Sequence, residues 1–335
     1  MGKLRVGVIG CGGASSWHTR ELASMAGVEI VGLAEPNAAN LERFKSRVPL
    51  VADVPSFADA EEMFASVELD AVSVVTPHTL HYPIVMSAIK RGLHVLCEKP
   101  LTCESAHARD IETAAEAAGV TVMVPYQRRF DPAYGYMKAA IDAGELGELR
   151  SITVTCGQHW MQGTAGSWRQ DPALSGGGML MDSGSHLVDM LLWLIGRPVA
   201  SVSALVDNAG SPVDINAAAT VRFDGGIHGQ LTVIGDLATT WMETVVVSGT
   251  EGLLRYEIEP QHPWRTGRVV HCRNDEIVQP LRLAEGPDLH EVWLAAIRGE
   301  TPNPSPPSAG LRVAELSEAI YSSAQLGQTV NLNGR

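Results

Sequence analysis

The sequence lacks the cysteine pattern of a disulfide scaffold or a zinc site. Its 335 residues hold five cysteines, widely spaced and without a C-x-x-C pair: Cys11, Cys97, Cys103, Cys156 and Cys272. Long apolar runs are also missing, since the longest, around Met190 to Ile195, is too short to cross a bilayer. No apolar signal core precedes the first β-rich segment. These absences predict a cytoplasmic protein with reduced thiols, no bound metal and no membrane partner.

Positive charge is scarce as well. Lysine and arginine total 25 against 38 aspartates and glutamates, which gives a net charge of −13. This balance disfavours nucleic acid and anionic membranes as partners, although a local pocket for one nucleotide stays compatible with it. With 45% hydrophobic and 19% charged residues the composition is that of a globular protein. A chain of this length is expected to form two domains.

The first 124 residues alternate short β-rich runs with helical runs. The strand candidates are residues 4–9, 29–34, 71–76, 94–97 and 121–124, with helical candidates between them at 16–25, 37–46, 58–65, 80–91 and 105–118. The strands are almost continuously apolar, as expected when helices cover both faces of a sheet. Residues 1–124 are therefore predicted to form an α/β domain with a parallel, doubly wound sheet.

The pattern changes after Pro125, and residues 125–335 are predicted to form a second domain. From 199 to about 278 the chain reads as successive strands separated by turn signals, which favours antiparallel pairing. The other predicted elements are helix 131–143, strand 149–155, helix 179–195 and the helices 288–298 and 309–325. An α+β domain with a large, mainly antiparallel open sheet fits this order.

A glycine-rich segment, Gly10-Cys11-Gly12-Gly13-Ala14-Ser15, follows the first strand and precedes the first helix. This is the context of a dinucleotide-binding turn, because glycine permits the tight bend and lets the backbone approach a pyrophosphate at the helix N-terminus. Ser15 replaces the third glycine of G-x-G-x-x-G; it is small enough for close helix packing and could donate to a phosphate. A purely structural glycine turn is the alternative.

Further dinucleotide contacts are predicted where the second and fourth strands end. Glu35 has the spacing of the acidic residue that binds both ribose hydroxyls and repels a 2′-phosphate, which favours NAD over NADP. Thr76-Pro77-His78 follows the strand candidate 71–76, and His81 would face the cofactor if the next helix starts near it. His78 and His81 lack a nearby thiolate or acid, so a metal site is not predicted. A solvated acid and a helix-capping histidine are the alternatives.

Glu98-Lys99-Pro100 follows the apolar strand 94–97, where an open parallel sheet presents ligands. An ammonium there can hydrogen-bond a substrate hydroxyl, and the proline would end the strand and direct the lysine. Taken alone, the tripeptide is better explained as a solvated surface lysine, and its weight depends on the motifs around it.

A second candidate group follows Ser175-Gly176-Gly177-Gly178. Asp182 and His186 are four residues apart, and hence on one face of the predicted helix. A carboxylate beside an imidazole orients it and raises its basicity, as a general base for hydride transfer from a carbinol requires. The glycines would let the backbone approach a bound ring, and Trp168, Arg169 and Asp171 could contact sugar hydroxyls. A surface pair is the alternative.

Together, these motifs resemble the Gfo/Idh/MocA oxidoreductase family, which includes glucose-fructose oxidoreductase and inositol dehydrogenase. The resemblance covers nearly the whole chain in the family's order and adds the segment Gln127-Arg128-Arg129-Phe130-Asp131. It implies a Rossmann domain, a second domain whose sheet often mediates homodimers or homotetramers, and Lys99, Asp182 and His186 as the catalytic set. The predicted cofactor contacts are Gly10, Gly12, Gly13, Ala14, Ser15, Glu35, Thr76, Pro77, His78, His81, Glu98, Lys99 and Gln127. The predicted substrate contacts are Lys99, Arg128, Trp168, Arg169, Asp182 and His186.

The predicted function is NAD-dependent oxidation of a secondary hydroxyl of a sugar, cyclic polyol or derivative. His186 would carry the proton, Asp182 would orient it, and Lys99 would hold and polarise the reacting oxygen. Two alternatives stay open: a glycosidase that acts by transient oxidation with retained NAD, and a non-enzymatic nucleotide- or sugar-sensing regulator. The substrate is not predicted, because selectivity depends on loop contacts such as those around His159-Trp160, Trp264 and His290.

Overall fold

The structure is a computed structural model that describes residues 2–259, 266–278 and 282–332. Trp264, a predicted loop contact, lies outside these residues. The chain divides into two compact units. Unit 1 comprises Met1–Thr102, Ala106–Pro125 and Asp288–Leu311; unit 2 comprises Cys103–Ser105, Tyr126–Pro287 and Arg312–Arg335.

Unit 1 carries the alternating strands and helices expected from the first part of the sequence. The elements are β1 (Leu4–Ile9), α1 (Gly13–Ser24), β2 (Val28–Ala34), α2 (Ala38–Arg47), β3 (Ser56–Phe57), α3 (Ala60–Ser66), β4 (Ala71–Val74), α4 (His81–Lys90), β5 (His94–Cys97), α5 (Ser105–Ala118) and β6 (Val122–Met123).

The six strands of unit 1 form one parallel sheet in the order β3-β2-β1-β4-β5-β6. The strand order reverses direction between β1 and β4, which is where open α/β sheets bind ligands. All four residues of β4 are buried, as expected of a strand covered on both faces. The predicted doubly wound α/β fold is confirmed, and the sequence analysis missed only the two-residue strand β3.

The remaining elements, in chain order, belong mostly to unit 2. They are α6 (Pro132–Asp142), β7 (Leu149–His159), α7 (Trp160–Gly163), α8 (Pro172–Ser175), α9 (Gly184–Ile195), β8 (Val199–Asp207), β9 (Asn216–Phe223), β10 (His228–Ile234), β11 (Asp236–Gly249), β12 (Gly252–Glu257), β13 (Arg268–Arg273), β14 (Glu276–Ile277), α10 (Leu289–Ile297), α11 (Pro307–Leu326) and β15 (Val330–Asn331).

The sheet of unit 2 has nine strands in the order β14-β13-β12-β11-β7-β10-β9-β8-β15. Every neighbouring pair is antiparallel except β7 with β10. The predicted large, mainly antiparallel sheet is confirmed. Within the described residues, no helix has the length and apolarity that a membrane span requires.

The division into units differs from the two continuous ranges expected from the sequence. Asp288–Leu311, which contains α10, belongs to unit 1. Backbone and side-chain hydrogen bonds explain this, since Val124 N donates to Ser305 O at 3.0 Å and Asn303 Nδ2 donates to Val122 O at 2.8 Å. These bonds join the 288–311 segment to the edge strand β6, a long-range pairing that local sequence patterns do not reveal.

Candidate active site

The glycine turn lies at the carboxyl end of β1. Gly10 has φ +87°, and a Cβ there would lie 2.4 Å from Val75 O, so this position requires glycine. At Gly12 and Gly13, by contrast, an added Cβ would meet no described atom within 4 Å beyond the chain neighbours. The packing of the described residues therefore does not require these two glycines. A pyrophosphate approaching the N-terminus of α1 would require them, so the turn fits a dinucleotide.

Glu35 lies directly after β2 and is bonded to the glycine turn. Its Oε2 accepts from Cys11 N at 2.9 Å, and its Oε1 accepts from Asn37 N at 3.0 Å. Each carboxylate oxygen can accept a second hydrogen bond, so these contacts fix the carboxylate without exhausting it. Ser15, one turn into α1, is completely buried, as a small residue that allows close helix packing would be.

His81 begins α4 and is completely buried. Its Nδ1 lies 2.8 Å from Pro100 O and its Nε2 lies 3.0 Å from Thr76 O. Burial lowers the pKa of His81, whereas hydrogen bonds to the two carbonyls, which can only accept, act in the opposite direction. The ring nitrogens thus face the backbone carbonyls of the loops after β4 and β5, while the predicted contact of His81 with the cofactor stays a prediction. We infer that His81 acts by joining those two loops.

Glu98 and Lys99 follow β5, at the same edge of the sheet as the glycine turn. Because β1, β4 and β5 are neighbouring parallel strands, their carboxyl ends lie side by side. Glu98 is buried and Lys99 is half-buried. Glu98 Oε2 accepts from Lys99 N at 3.1 Å, and Glu98 Oε1 lies 2.8 Å from His18 Nε2. The Glu98 side chain therefore fixes the backbone of Lys99 through this hydrogen bond.

Asp182 and His186 lie in unit 2, but not on one helix as predicted. Helix α9 starts at Gly184, so Asp182 belongs to the turn that precedes it, and its N–H donates to Gly178 O at 2.9 Å. Asp182 Oδ2 accepts from Trp160 Nε1 at 2.8 Å and from Arg169 Nε at 2.9 Å. The buried Asp182 carboxylate thus holds together Trp160 and Arg169, two residues of the segment 160–170 that were both predicted near the substrate.

His186 is buried in the first turn of α9, with the ring of Tyr126 edge-on at 6.4 Å between centroids. The guanidinium of Arg169 lies over the Trp168 ring at 4.5 Å from its centroid. Gln127 is exposed in the short turn after Tyr126. Among the predicted residues of unit 2, the structure therefore joins Asp182 directly to Arg169 and Arg169 to Trp168.

The glycine loop 176–178 has a packing role that the sequence analysis did not predict. A Cβ at Gly178 would lie 1.9 Å from Asp214 O, and one at Gly177 would lie 2.7 Å from Tyr321 Oη. Asp214 Oδ1 accepts from Gly178 N at 2.6 Å and from Tyr321 Oη at 2.8 Å. Close packing against Asp214 and Tyr321 therefore accounts for these two glycines without a ligand.

Arg128, a predicted substrate contact, forms a bidentate ion pair with Glu243. Arg128 Nε and Nη2 donate to the two Glu243 oxygens at 2.8 and 2.7 Å. Tyr134 Oη donates to Oε1 at 2.7 Å and Trp241 Nε1 donates to Oε2 at 3.1 Å, so the buried carboxylate accepts four bonds. Substrate binding by Arg128 would have to use its remaining N–H groups or break this pair.

One buried residue beside Glu98, His18, is not among the predicted site residues. His18 lies on the inner face of α1 with Ser15, Thr19 and Leu22, the 3–4 residue spacing of a buried helix face. This spacing is the sequence signal that indicates a buried position for His18. His290, a predicted loop contact for the substrate, is instead buried in α10 with its Nε2 at 2.8 Å from His18 Nδ1. Trp160, by contrast, does contact a predicted site residue, Asp182.

Two family models match the chain. Residues 4–126 match an oxidoreductase family with an NAD-binding Rossmann fold, and residues 134–255 match the Gfo/Idh/MocA C-terminal domain. The two matches correspond to the parallel sheet of unit 1 and to the larger part of the sheet of unit 2.

Curated relatives and solved structures point to the same family of oxidoreductases as the two family models. Inositol 2-dehydrogenase 4 of Saccharopolyspora erythraea is 33% identical over 60% of this chain and 56% of its own. The chain thus spans little more than half the length of that relative. D-xylose 1-dehydrogenase (NADP(+)) 2 of Haloferax volcanii is 30% identical over 88% of this chain and 92% of its own. The crystal structure of GenD2 from gentamicin A biosynthesis with NAD, 24% identical, superposes with a TM-score of 0.84 over 100% of this chain and 97% of that one, which shows the shared fold.

Proposed function

Because this chain belongs to the Gfo/Idh/MocA family of NAD-binding oxidoreductases, we propose that it is an NAD-dependent dehydrogenase. It transfers a hydride between NAD and a secondary hydroxyl or ketone of a sugar, cyclic polyol or derivative. One observation carries the proposal. The glycine turn after β1 and Lys99 after β5 lie at the same edge of one parallel sheet, where a dinucleotide and a polarising ammonium are needed together.

The proposed roles follow from the chemistry of each group. Bound NAD supplies the hydride acceptor. The Lys99 ammonium donates to the reacting oxygen and favours its negative charge. The His186 imidazole holds the proton that leaves the hydroxyl, and Asp182 orients that part of the site. Asp182 is itself fixed by Trp160 and Arg169, which supports a positioning role.

The proposal is tested by absorbance at the reduced-nicotinamide band. Purified protein is mixed with NAD or NADP and with a panel of polyols, sugars and sugar acids. We expect an NAD-dependent increase with at least one secondary alcohol and a decrease with the matching ketone and NADH. A panel without any change would contradict the proposal. Cleavage of a glycoside with bound NAD and no net absorbance change would favour the transient-oxidation alternative.

Glu35 is proposed to select NAD over NADP, because a carboxylate at the ribose repels a 2′-phosphate. Glu35→Gln removes the charge and keeps an acceptor for Cys11 N, whereas Glu35→Ala removes both. We expect each variant to lower the ratio of kcat/KM for NAD to kcat/KM for NADP about tenfold, equal to about 1.4 kcal/mol. The measurement is initial rates with both cofactors. An unchanged ratio in both variants would mean that the ribose is held elsewhere.

We also propose that the large sheet of unit 2 joins copies of the chain into a homodimer or homotetramer. Buried residues alternate with more exposed ones along β9 and β10, and in β8 half-buried residues alternate with exposed ones from Ser203 on, among them Leu205, which is 77% exposed. A sheet face of this kind is able to pair with a second copy of itself. No disulfide joins the cysteines of the described residues, which supports a reducing compartment such as the cytoplasm.

A further inference from the structure

Three buried side chains of unit 1 form a hydrogen-bonded chain that ends at Lys99. His290 Nε2 on α10 lies 2.8 Å from His18 Nδ1 on α1, and His18 Nε2 lies 2.8 Å from Glu98 Oε1. The other oxygen of Glu98 accepts from Lys99 N at 3.1 Å. These hydrogen bonds thus connect the helices α1 and α10 to the backbone of the proposed substrate-polarising lysine.

Hydrogen-bond chemistry restricts where the protons of these three side chains can lie. An ionised Glu98 only accepts, so His18 Nε2 carries the proton and donates to it. With a single proton on the His18 ring, His18 Nδ1 is an acceptor and His290 Nε2 donates to it. Burial, together with the neighbouring His18, lowers the pKa of His290 to about 3, so that ring is neutral and fits this role.

The three side chains of this hydrogen-bonded series are almost fully buried. His290 is 0% exposed, His18 is 1% exposed and Glu98 is 8% exposed. Burying such groups is costly unless their hydrogen bonds are made. The Trp17 ring packs against both imidazoles, at 4.5 Å from His18 and 5.0 Å from His290 between centroids. Both imidazoles are therefore held by hydrogen bonds and by packing against the Trp17 ring, and His18 in turn holds the Glu98 carboxylate.

We propose that His18 and His290 are positioning residues for Lys99. His290 fixes the tautomer and orientation of His18, His18 fixes the Glu98 carboxylate, and Glu98 fixes the backbone from which the Lys99 side chain extends. The importance of Lys99 for turnover rests on the proposed function; the hydrogen-bonded chain itself does not. Displacement of a reacting group by about 1 Å can lower a rate about 10²-fold, so this support has a measurable effect.

The test compares His18→Leu, which removes both hydrogen bonds, with His18→Gln, whose amide N–H can still donate to Glu98. We expect His18→Leu to lower kcat about 10- to 100-fold, with KM for NAD within about twofold of wild type. His18→Gln should recover most of this loss. His94→Leu is the matched control, because His94 Nδ1 accepts from Thr121 N at the opposite end of β5, in the same unit. It should leave kcat unchanged.

A second readout needs no turnover. The protein has five lysines: Lys3, Lys45, Lys90, Lys99 and Lys138. Reductive ¹³C-methylation therefore gives a simple NMR spectrum, in which Lys99→Arg assigns the Lys99 signal. The Lys99 signal should move in His18→Leu and stay near its wild-type position in His18→Gln and His94→Leu. If His18→Leu does not fold, His290→Leu replaces it, and we expect its kcat to fall about 3- to 10-fold.

The outcomes separate this inference from the proposed function. If wild type oxidises no panel substrate, the proposed function fails, while a moved Lys99 signal in His18→Leu still supports the positioning role. If wild type turns over and His18→Leu keeps both its kcat and its Lys99 signal, the positioning role is overturned and the function stands. Equal losses in the Leu and Gln variants would also overturn it, because a merely structural histidine gives that result.

Discussion

His186→Ala should lower kcat about 10²- to 10⁴-fold, the range expected when a positioned proton-transfer group is removed. Lys99→Ala should lower kcat about 10²- to 10³-fold, because the developing charge on the reacting oxygen loses its donor. NAD binding should persist in both variants, since the glycine turn and Glu35 hold the dinucleotide in the proposed site. The measurements are steady-state rates with the preferred substrate and NADH binding by fluorescence.

Matched variants make this prediction sharper. Lys99→Arg keeps the positive charge but replaces a compact ammonium by a planar fork, so we expect only partial recovery of kcat. His186→Gln keeps a hydrogen-bonding side chain without a group that titrates near neutral pH, so its kcat should stay close to that of His186→Ala. Near-normal kcat in either alanine variant would refute the assigned role. Loss of NADH binding in parallel with kcat would indicate damage to the fold instead.

Local sequence patterns were sufficient to predict the parallel sheet of unit 1 and the helices between its strands. The strands β1 and β5 and the helix α5 have the predicted bounds, because continuous apolar runs and helical runs alternate there without interruption. The positive φ of Gly10 also follows from its place between a strand and a helix. These features depend on neighbours in sequence, which is why the sequence was enough.

Features that depend on distant partners were not predictable in this way. The helix predicted from residue 179 starts at Gly184, because the preceding residues are held by Asp214, whose Oδ2 accepts from Leu180 N at 2.8 Å. The segment 288–311 belongs to unit 1 through bonds to β6, more than 160 residues earlier in the chain. The histidine pair beside Glu98 likewise joins residues of helices at opposite ends of the chain.

The ion pair of Arg128 with Glu243 is another long-range contact, and we expect its loss to lower the stability of the protein strongly. Arg128→Met should lower the free energy of unfolding of the protein by about 3–5 kcal/mol, because it leaves a buried carboxylate without its cation. Burial favours the neutral guanidine, yet the nearby Glu243 charge outweighs it and raises the pKa of Arg128, so the pair is ionic. Urea unfolding, followed by tryptophan fluorescence, measures the loss.

The double variant Arg128→Met/Glu243→Gln separates the ion pair from simple packing. It removes both charges, and the glutamine oxygen can still accept from Tyr134 Oη, which donates to Glu243 Oε1 at 2.7 Å. The double variant should therefore be more stable than the sum of the two single losses predicts, by about 1–3 kcal/mol. Wild-type stability in Arg128→Met, combined with a raised substrate KM, would contradict the structural role and favour substrate binding. Strong coupling with an unchanged KM in the folded variants would instead mean that Arg128 serves the fold of unit 2, and that the substrate is recognised by other side chains.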